Sequence, residues 1–508
     1  MSDDGRVVAT GDSALLDEHP GAVRIDGGGH TLLPGLIDAH GHVYGLGELQ
    51  DNLDLVGSSS LADALRALGR YAEAHPYSKW ITGRGWNQVL WPVRKFPRAS
   101  DIDAVVADRP VWLRRVDGHA GWANSAALQL AGIDAATPDP QGGKIVRDSN
   151  GAPTGILVDN AMQLVDSYVP PPTKDDIRRR YRSAIATLVS VGLTGVHDAG
   201  ITLEQAEVYL SMAADGELGL RVYAMLLGNG PALDAMSHPL HGLGNDHLDI
   251  AAVKLFADGA LGSRGAALLA PYSDDAENRG LPYWTQEELT AMAAKANRLG
   301  FQVAVHAIGD RANRMVLDTF DAIQHGQPSP LRNRVEHAQV IALEDIPRFA
   351  ELGVIASMQP THATSDMNMA EDRIGPERIR GAYAWRRLLD SGAVLASGSD
   401  FPVESPNPFL GLYAAVTRQD REGQPPGGWY ADQAMTRAEA LRSFTLTAAY
   451  AAHAEDSLGS LEPGKWADFI LVDRDYFSVP PSEIDDIRVL ETWVGGKRVY
   501  RENSGEQR

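Results

Sequence analysis

Eight short apolar segments rich in β-branched residues recur along the 508-residue chain with helix-length patterns between them, and this alternation constrains the fold more than any other feature. They are residues 31–43, 192–200, 220–228, 250–259, 301–310, 334–340, 353–360 and 392–400. Residues 174–192 and 285–300 read as helices. The second opens on Thr285 with Glu288 three residues on, a capping-box pattern, and closes on Gly300. Strand–helix alternation repeated about eight times predicts an α/β fold, a parallel (β/α)8 TIM-like barrel. Two regions depart from it. Residues 48–172, rich in Trp, Pro and Gly, are a long insertion after the first strand, and insertions of that length usually shape a site. The first 30 residues and the tail read as short strands around turns, with Gly495-Gly496 a hairpin signal. The expected organisation is a small β-sandwich domain from residues 1–31 and 455–501, and a barrel over 32–454 that carries the insertion.

Charge and composition narrow the function. Lys plus Arg total 46 against 67 for Asp plus Glu, a formal charge of −21, which argues against nucleic acid or an anionic membrane as a partner. No apolar run approaches the roughly 18 residues that span a bilayer. The opening "MSDDGRVVATGD" lacks the basic-then-apolar order of a signal peptide, so the chain as written is expected in the cytoplasm. With no cysteine, a transition metal would have to be held by histidine, carboxylate or something rarer.

His40 and His42, in "IDAHGHV", share one face of the first strand because side chains two apart point the same way. Two imidazoles converging at a strand end present two nitrogen ligands to one metal ion. Lys254 falls near the end of the fourth strand, His306 of the fifth and His337 of the sixth, while Asp400 closes the eighth. Barrel enzymes build their active sites at that rim. One strand-end histidine among 15 means little; four on three strands, with a closing aspartate, predict a metal site.

The stretches "LPGLIDAHGH", "VKLFADGALGSRG", "VAVHAIGD", "RVEHAQ", "SGSDFPVE" and "LGSLEPGKWADFIL", in this order, resemble the amidohydrolase superfamily, and within it the branch of YtcJ-like and N-substituted formamide deformylase-like proteins. The resemblance runs from about residue 5 to residue 500. It implies that His40, His42, Lys254, His306, His337 and Asp400 hold two divalent metal ions, with Lys254 carboxylated to a bridging carbamate. Zinc suits imidazole and carboxylate; manganese, iron or cobalt are the other occupants. A neutral lysine amine captures CO₂, and burial lowers a lysine's pKa enough to expose that amine. The carbamate is a bidentate anion suited to bridging cations about 3.5–4 Å apart, and such metals lower the pKa of a shared water from 15.7 toward roughly 7. Asp400 would take the proton and pass it to the leaving nitrogen. The implied activity is hydrolysis of a C–N bond in a small-molecule amide, N-formyl or N-acyl compound. The alternatives are a mononuclear aminohydrolase (deaminase), which would not need Lys254, and a lactone or ester hydrolase. A silent binding homologue would have lost ligands, and a barrel lyase or isomerase is disfavoured by the ligand set.

Substrate contacts are expected from His119, which would polarise the scissile carbonyl or hold the substrate's polar end, and from Trp122 near it in "RRVDGHAGWANS". Trp86 and Trp91 would line an apolar pocket or pack the insertion. Asp258 and Arg264 follow Lys254 in the recognised motif, and the Arg264 fork suits a carboxylate or carbonyl. His197 ends the second strand as a support behind the ligands. A homodimer is the expectation from the frequency of two-fold assemblies. Family members usually carry a further opening strand before the equivalent of "DGRVVATGD", and this chain starts almost at it. Export by a preceding leader therefore stays open.

Overall fold

The computed structural model describes residues 1–115, 120–140, 143–262 and 264–502. Eight parallel strands form its centre: β1 (Leu36–Gly41), β2 (Leu193–Ile201), β3 (Arg221–Leu227), β4 (Leu248–Phe256), β5 (Gln302–Ala307), β6 (Arg334–His337), β7 (Ile355–Met358) and β8 (Leu395–Ser397). Each pairs with the next in chain order, and the short strand Leu240–Gly242 pairs antiparallel with β4. The barrel closes beyond the strands themselves. His40 accepts from the Asp400 N–H at 2.7 Å, and Phe401 from the His42 N–H at 2.8 Å, so the turn after β8 is sewn to the end of β1. The alternation expected from sequence is present, with helices such as Leu203–Ala214, Asp310–Gln324 and Trp385–Asp390 between strands. Helix Gln286–Arg298 starts at the expected Thr285 N-cap, with both capping-box bonds to Glu288 formed.

The first apolar run is shared between two sheets. Thr31–Pro34 pairs antiparallel with Phe469–Val472, whereas Leu36–Gly41 enters the barrel as β1. Two further strands, Val489–Val494 and Lys497–Arg501, complete a four-stranded antiparallel sheet that is the body of the small β domain. Gly495 and Gly496 join the last two with φ of 55° and 70°, the left-handed pair a tight hairpin needs. The N-terminal residues contribute less than the sequence suggests. Arg6 bridges Trp466, but residues 21–29 form no strand, and Val23 and Ile25 are exposed rather than packed into a core.

A buried ion pair ties the small domain to the barrel. Arg221, at the start of β3, grips Asp468 with Nε at 2.6 Å and Nη2 at 2.9 Å, and Asp468 also accepts from the Gly495 N–H.

The chain divides into two compact units, Met1–Gly45 with Tyr181–Arg508, and Leu46–Arg180. The second is the insertion, a little longer than the expected 48–172. It has its own six-stranded sheet and its own core, in which Trp86, Trp91 and Trp122 meet with ring centroids 6.1–6.4 Å apart.

Arg221→Met leaves Asp468 buried without its cation, which typically costs about 3–5 kcal/mol. Denaturant unfolding should show a loss of that size, and the double variant with Asp468→Leu should recover part of it.

Candidate metal centre

The sequence puts an unusual load of polar side chains inside the barrel, and contacts between non-adjacent strands show that they point inward. His40 of β1 reaches Glu336 of β6, Nδ1 to Oε2 at 2.5 Å. Lys254 of β4 lies across from His40, Nζ to Nε2 at 3.3 Å. His306 of β5 and His337 of β6 stand with ring centroids 4.5 Å apart, and His337 and His40 with centroids at 4.8 Å. Asp400 lies three residues past the end of β8 rather than closing it, with a left-handed φ of 61°. That turn aims its Oδ1 at His42 Nε2 (3.1 Å) and His40 Nε2 (3.6 Å). Gly398 makes the approach of β8 to β1 feasible, since a Cβ there would sit 2.4 Å from His40 N. Asp38 locks the same seam by accepting from the Ser399 N–H and, at 2.6 Å, from its hydroxyl. Asp198 fixes the chain after His42 by accepting from the Val43 N–H and the Tyr209 hydroxyl.

The electrostatics leave these groups ready to ligate. Burial holds the His306 imidazole down to about 3, with Lys254 adding to the effect. Burial likewise lowers His40 to about 4, and holds His337 well below its ordinary value, with His306 and His40 nearby reinforcing it. All three rings are therefore neutral at pH 7. Burial would raise the Asp400 carboxyl, but His42 and His40 outweigh it and keep the group ionised. Burial brings the Lys254 ammonium down to about 8 against the opposing pull of Glu336 and Asp400.

A metal ion fits this donor set. His40, His337 and Asp400 each place a ligand atom within 4.8 Å of the others. His306 Nε2 is buried with no hydrogen-bond partner among the described residues, a costly state for a polar atom unless something else satisfies it. The other ring nitrogens are already engaged. His40 Nδ1 donates to Glu336, and His337 Nδ1 donates to Gln359 Oε1 at 2.8 Å, so both rings offer Nε2 inward.

The amidohydrolase family model matches residues 24–500. The chain belongs to the amidohydrolase family. It is 34% identical to the Bacillus subtilis protein YtcJ across 99% of this chain and 95% of that one. It is also 30% identical to the N-substituted formamide deformylase of Arthrobacter pascens, across 95% of this chain and 90% of the relative. Among solved structures, an uncharacterised metal-dependent hydrolase from Pyrococcus horikoshii superposes with a TM-score of 0.80 at 30% identity, covering 95% of this chain and 94% of that one. The protein is a metal-dependent hydrolase of this superfamily.

In this amidohydrolase the six residues expected as metal ligands lie together, and of the described residues expected as substrate contacts only Asp258 stands against one of them. Trp86 and Trp122 are fully buried in the insertion's own core, with their indole N–H groups donating to the carbonyls of Leu113 and Arg98. They present no free face to a substrate, and Trp91 packs in the same way. Asp258 is buried and accepts from the N–H groups of Ala267, Ile308 and Gly309, and its Oδ1 also stands 3.6 Å from His306 Nε2, so it shapes the turn after β5 at the edge of the site. The Arg264 fork is taken by Asp274, at 3.1 and 2.8 Å. His119 lies outside the described residues. His197 does support the ligands, by accepting from Arg334 Nη1 at 2.8 Å.

Four residues were not anticipated. Arg334 and Glu336 form a fully buried pair behind His40, with Nε to Oε1 at 2.8 Å. Gln359 positions His337. His362 Nε2 stands 3.6 Å from Asp400 Oδ2. Period-two alternation from Glu336 back to Arg334, and the strand-end position of "QPTH", are the signals that would have marked them.

Gln359→Leu removes the acceptor that fixes the His337 ring. Zinc affinity, read by competition with a chromophoric chelator, should fall by about 10–100-fold while the far-UV circular dichroism is unchanged.

Proposed function

We propose that this amidohydrolase hydrolyses a C–N bond in a small amide, N-formyl or N-acyl compound. It would use two divalent ions, zinc in the first instance, bridged by a carboxylated Lys254. The observation that carries this reading is the environment of Lys254. Its side chain is 1% exposed, its nitrogen faces His40 Nε2, and no carboxylate pairs with it among the described residues. A lysine placed among neutral imidazoles and brought down to about 8 by burial has an accessible free amine for CO₂ capture. The A. pascens relative, named for deformylating N-substituted formamides, supports a C–N bond as the target.

His40, His42 and Asp400 would hold one ion, His306 and His337 the other, and the Lys254 carbamate would join them. When bound, the ions supply Lewis acidity at the scissile carbonyl and make a water acidic enough to attack at neutral pH. Asp400 stays ionised beside His42 and His40, so it receives the water's proton on a carboxylate oxygen and returns it to the departing nitrogen. Glu336 and Gln359 hold the rings of His40 and His337 in the orientation this needs.

The test is turnover, followed by mass spectrometry, of N-formyl amines, N-acyl amino acids, cyclic imides, aminopurines and lactones, with zinc or manganese and with a chelator. Cleavage of an N-formyl or N-acyl compound that chelation abolishes is expected. Loss of an exocyclic amine from a purine alone would instead make the protein a mononuclear aminohydrolase. Asp400→Asn should lower turnover by about 10²–10⁴-fold while largely keeping its metal. Lys254→Ala should be inactive and partly rescued by short carboxylic acids; full activity without them would contradict the carbamate.

A further inference from the structure

Asp400 has two carboxylate oxygens, and the proposed ligand set uses one side of it. Oδ1 faces His42 and His40, whereas Oδ2 faces His362. His362 sits on the short helix Pro360–Asp366 that follows β7, with its ring stacked on His337 at 5.9 Å and 16°. Its Nε2 is buried and has no hydrogen-bond partner among the described residues. The 3.6 Å gap to Asp400 Oδ2 is too long for a good direct hydrogen bond and too short to hold a water between the two in line. An acceptor set off that line can meet the unpartnered Nε2 while the carboxylate stays turned to the attacking water, so donor and base act on neighbouring atoms. This is also the more exposed side of the cluster. The side chains of His42, His306 and His362 keep 34%, 14% and 13% exposure, while His40 and Glu336 behind them keep none.

We propose that His362 is a catalytic residue whose Nε2–H donates a hydrogen bond to the oxygen of the scissile carbonyl, beside Asp400 Oδ2. This rests on the C–N hydrolase reading given above. As the oxygen of water adds to the carbonyl carbon, negative charge grows on the carbonyl oxygen, and a preplaced donor is worth most there. No proton or electron leaves the imidazole in that step. The proton of the water goes to Asp400, and the C–N electron pair leaves with the nitrogen that Asp400 then protonates.

Cobalt(II)-loaded wild type, His362→Ala and His362→Gln are compared by metal content and by titration with acetohydroxamate, a carbonyl probe, followed through the visible cobalt absorption. Both variants should hold as much cobalt as wild type. Acetohydroxamate should bind His362→Ala about tenfold more weakly or worse, and His362→Gln, which keeps an N–H donor, should recover most of the affinity. Equal affinity in His362→Ala, or no binding by the wild type, would overturn the proposal. So would loss of cobalt from His362→Ala, which would make the residue a metal ligand. Because the readout needs no turnover, a wild type that cleaves no amide would defeat the functional reading while this comparison still decides the role of His362.

Discussion

The Arg334–Glu336–His40 chain across the barrel interior is the contact on which the rest of the site depends. Arg334 is fully buried and its guanidinium holds four partners besides the Nε contact to Glu336. They are His197 Nδ1, the Ala39 carbonyl, Ser357 Oγ and Glu336 Oε2. These residues lie on β1, β2, β6 and β7, so one cation braces four strands. Burial would raise the Glu336 carboxyl, but Arg334 and His40 beside it hold the group well below the usual carboxylate range. Glu336 therefore remains an anion that fixes the His40 ring. Breaking such a buried pair from one side typically costs about 3–5 kcal/mol, far more than an exposed salt bridge contributes. Integrity of the barrel and orientation of the histidine are thus enforced by the same atoms.

A polar barrel interior is expensive unless it is fully satisfied. Here the two terminal nitrogens of Arg334 satisfy most of the polar groups behind His40, and the other end of the interior carries groups that point at a common space. The buried nitrogen of His306 is the clearest instance. A divalent ion would satisfy these atoms, so binding and folding free energy are expected to be linked. Chelation should then weaken the barrel as well as silence it. The insertion contributes differently: Trp86, Trp91 and Trp122 are spent on its own core.

The fold and the clustering of the six polar residues were legible in the sequence for separate physical reasons. Strand–helix alternation survives in any single chain because each strand must be buried on both faces and each crossover must return by a helix. His40, His306 and His337 stood out because a histidine at a strand end has few structural excuses when several occur together. Less could be read where function depends on partners distant in sequence. Glu336 looked like part of a strand because its meaning lies in His40, almost three hundred residues away. Trp86 and Trp91 stayed open between a pocket and a core because an aromatic in an insertion is suited to either, and only packing decides. Arg264 misled for a similar reason: its fork does suit a carboxylate, but Asp274 supplies it. His362 had no periodic signal at all.

The central claim is that this constellation holds two ions joined through Lys254, and metal stoichiometry tests it most directly. Wild type and Lys254→Ala would be reconstituted with zinc in bicarbonate buffer, freed of loose metal and measured by plasma mass spectrometry. The account predicts about two equivalents per chain for wild type and at most one for the variant, because a bridging ligand is shared by both ions. One equivalent or fewer in the wild type, or two in Lys254→Ala, would contradict it.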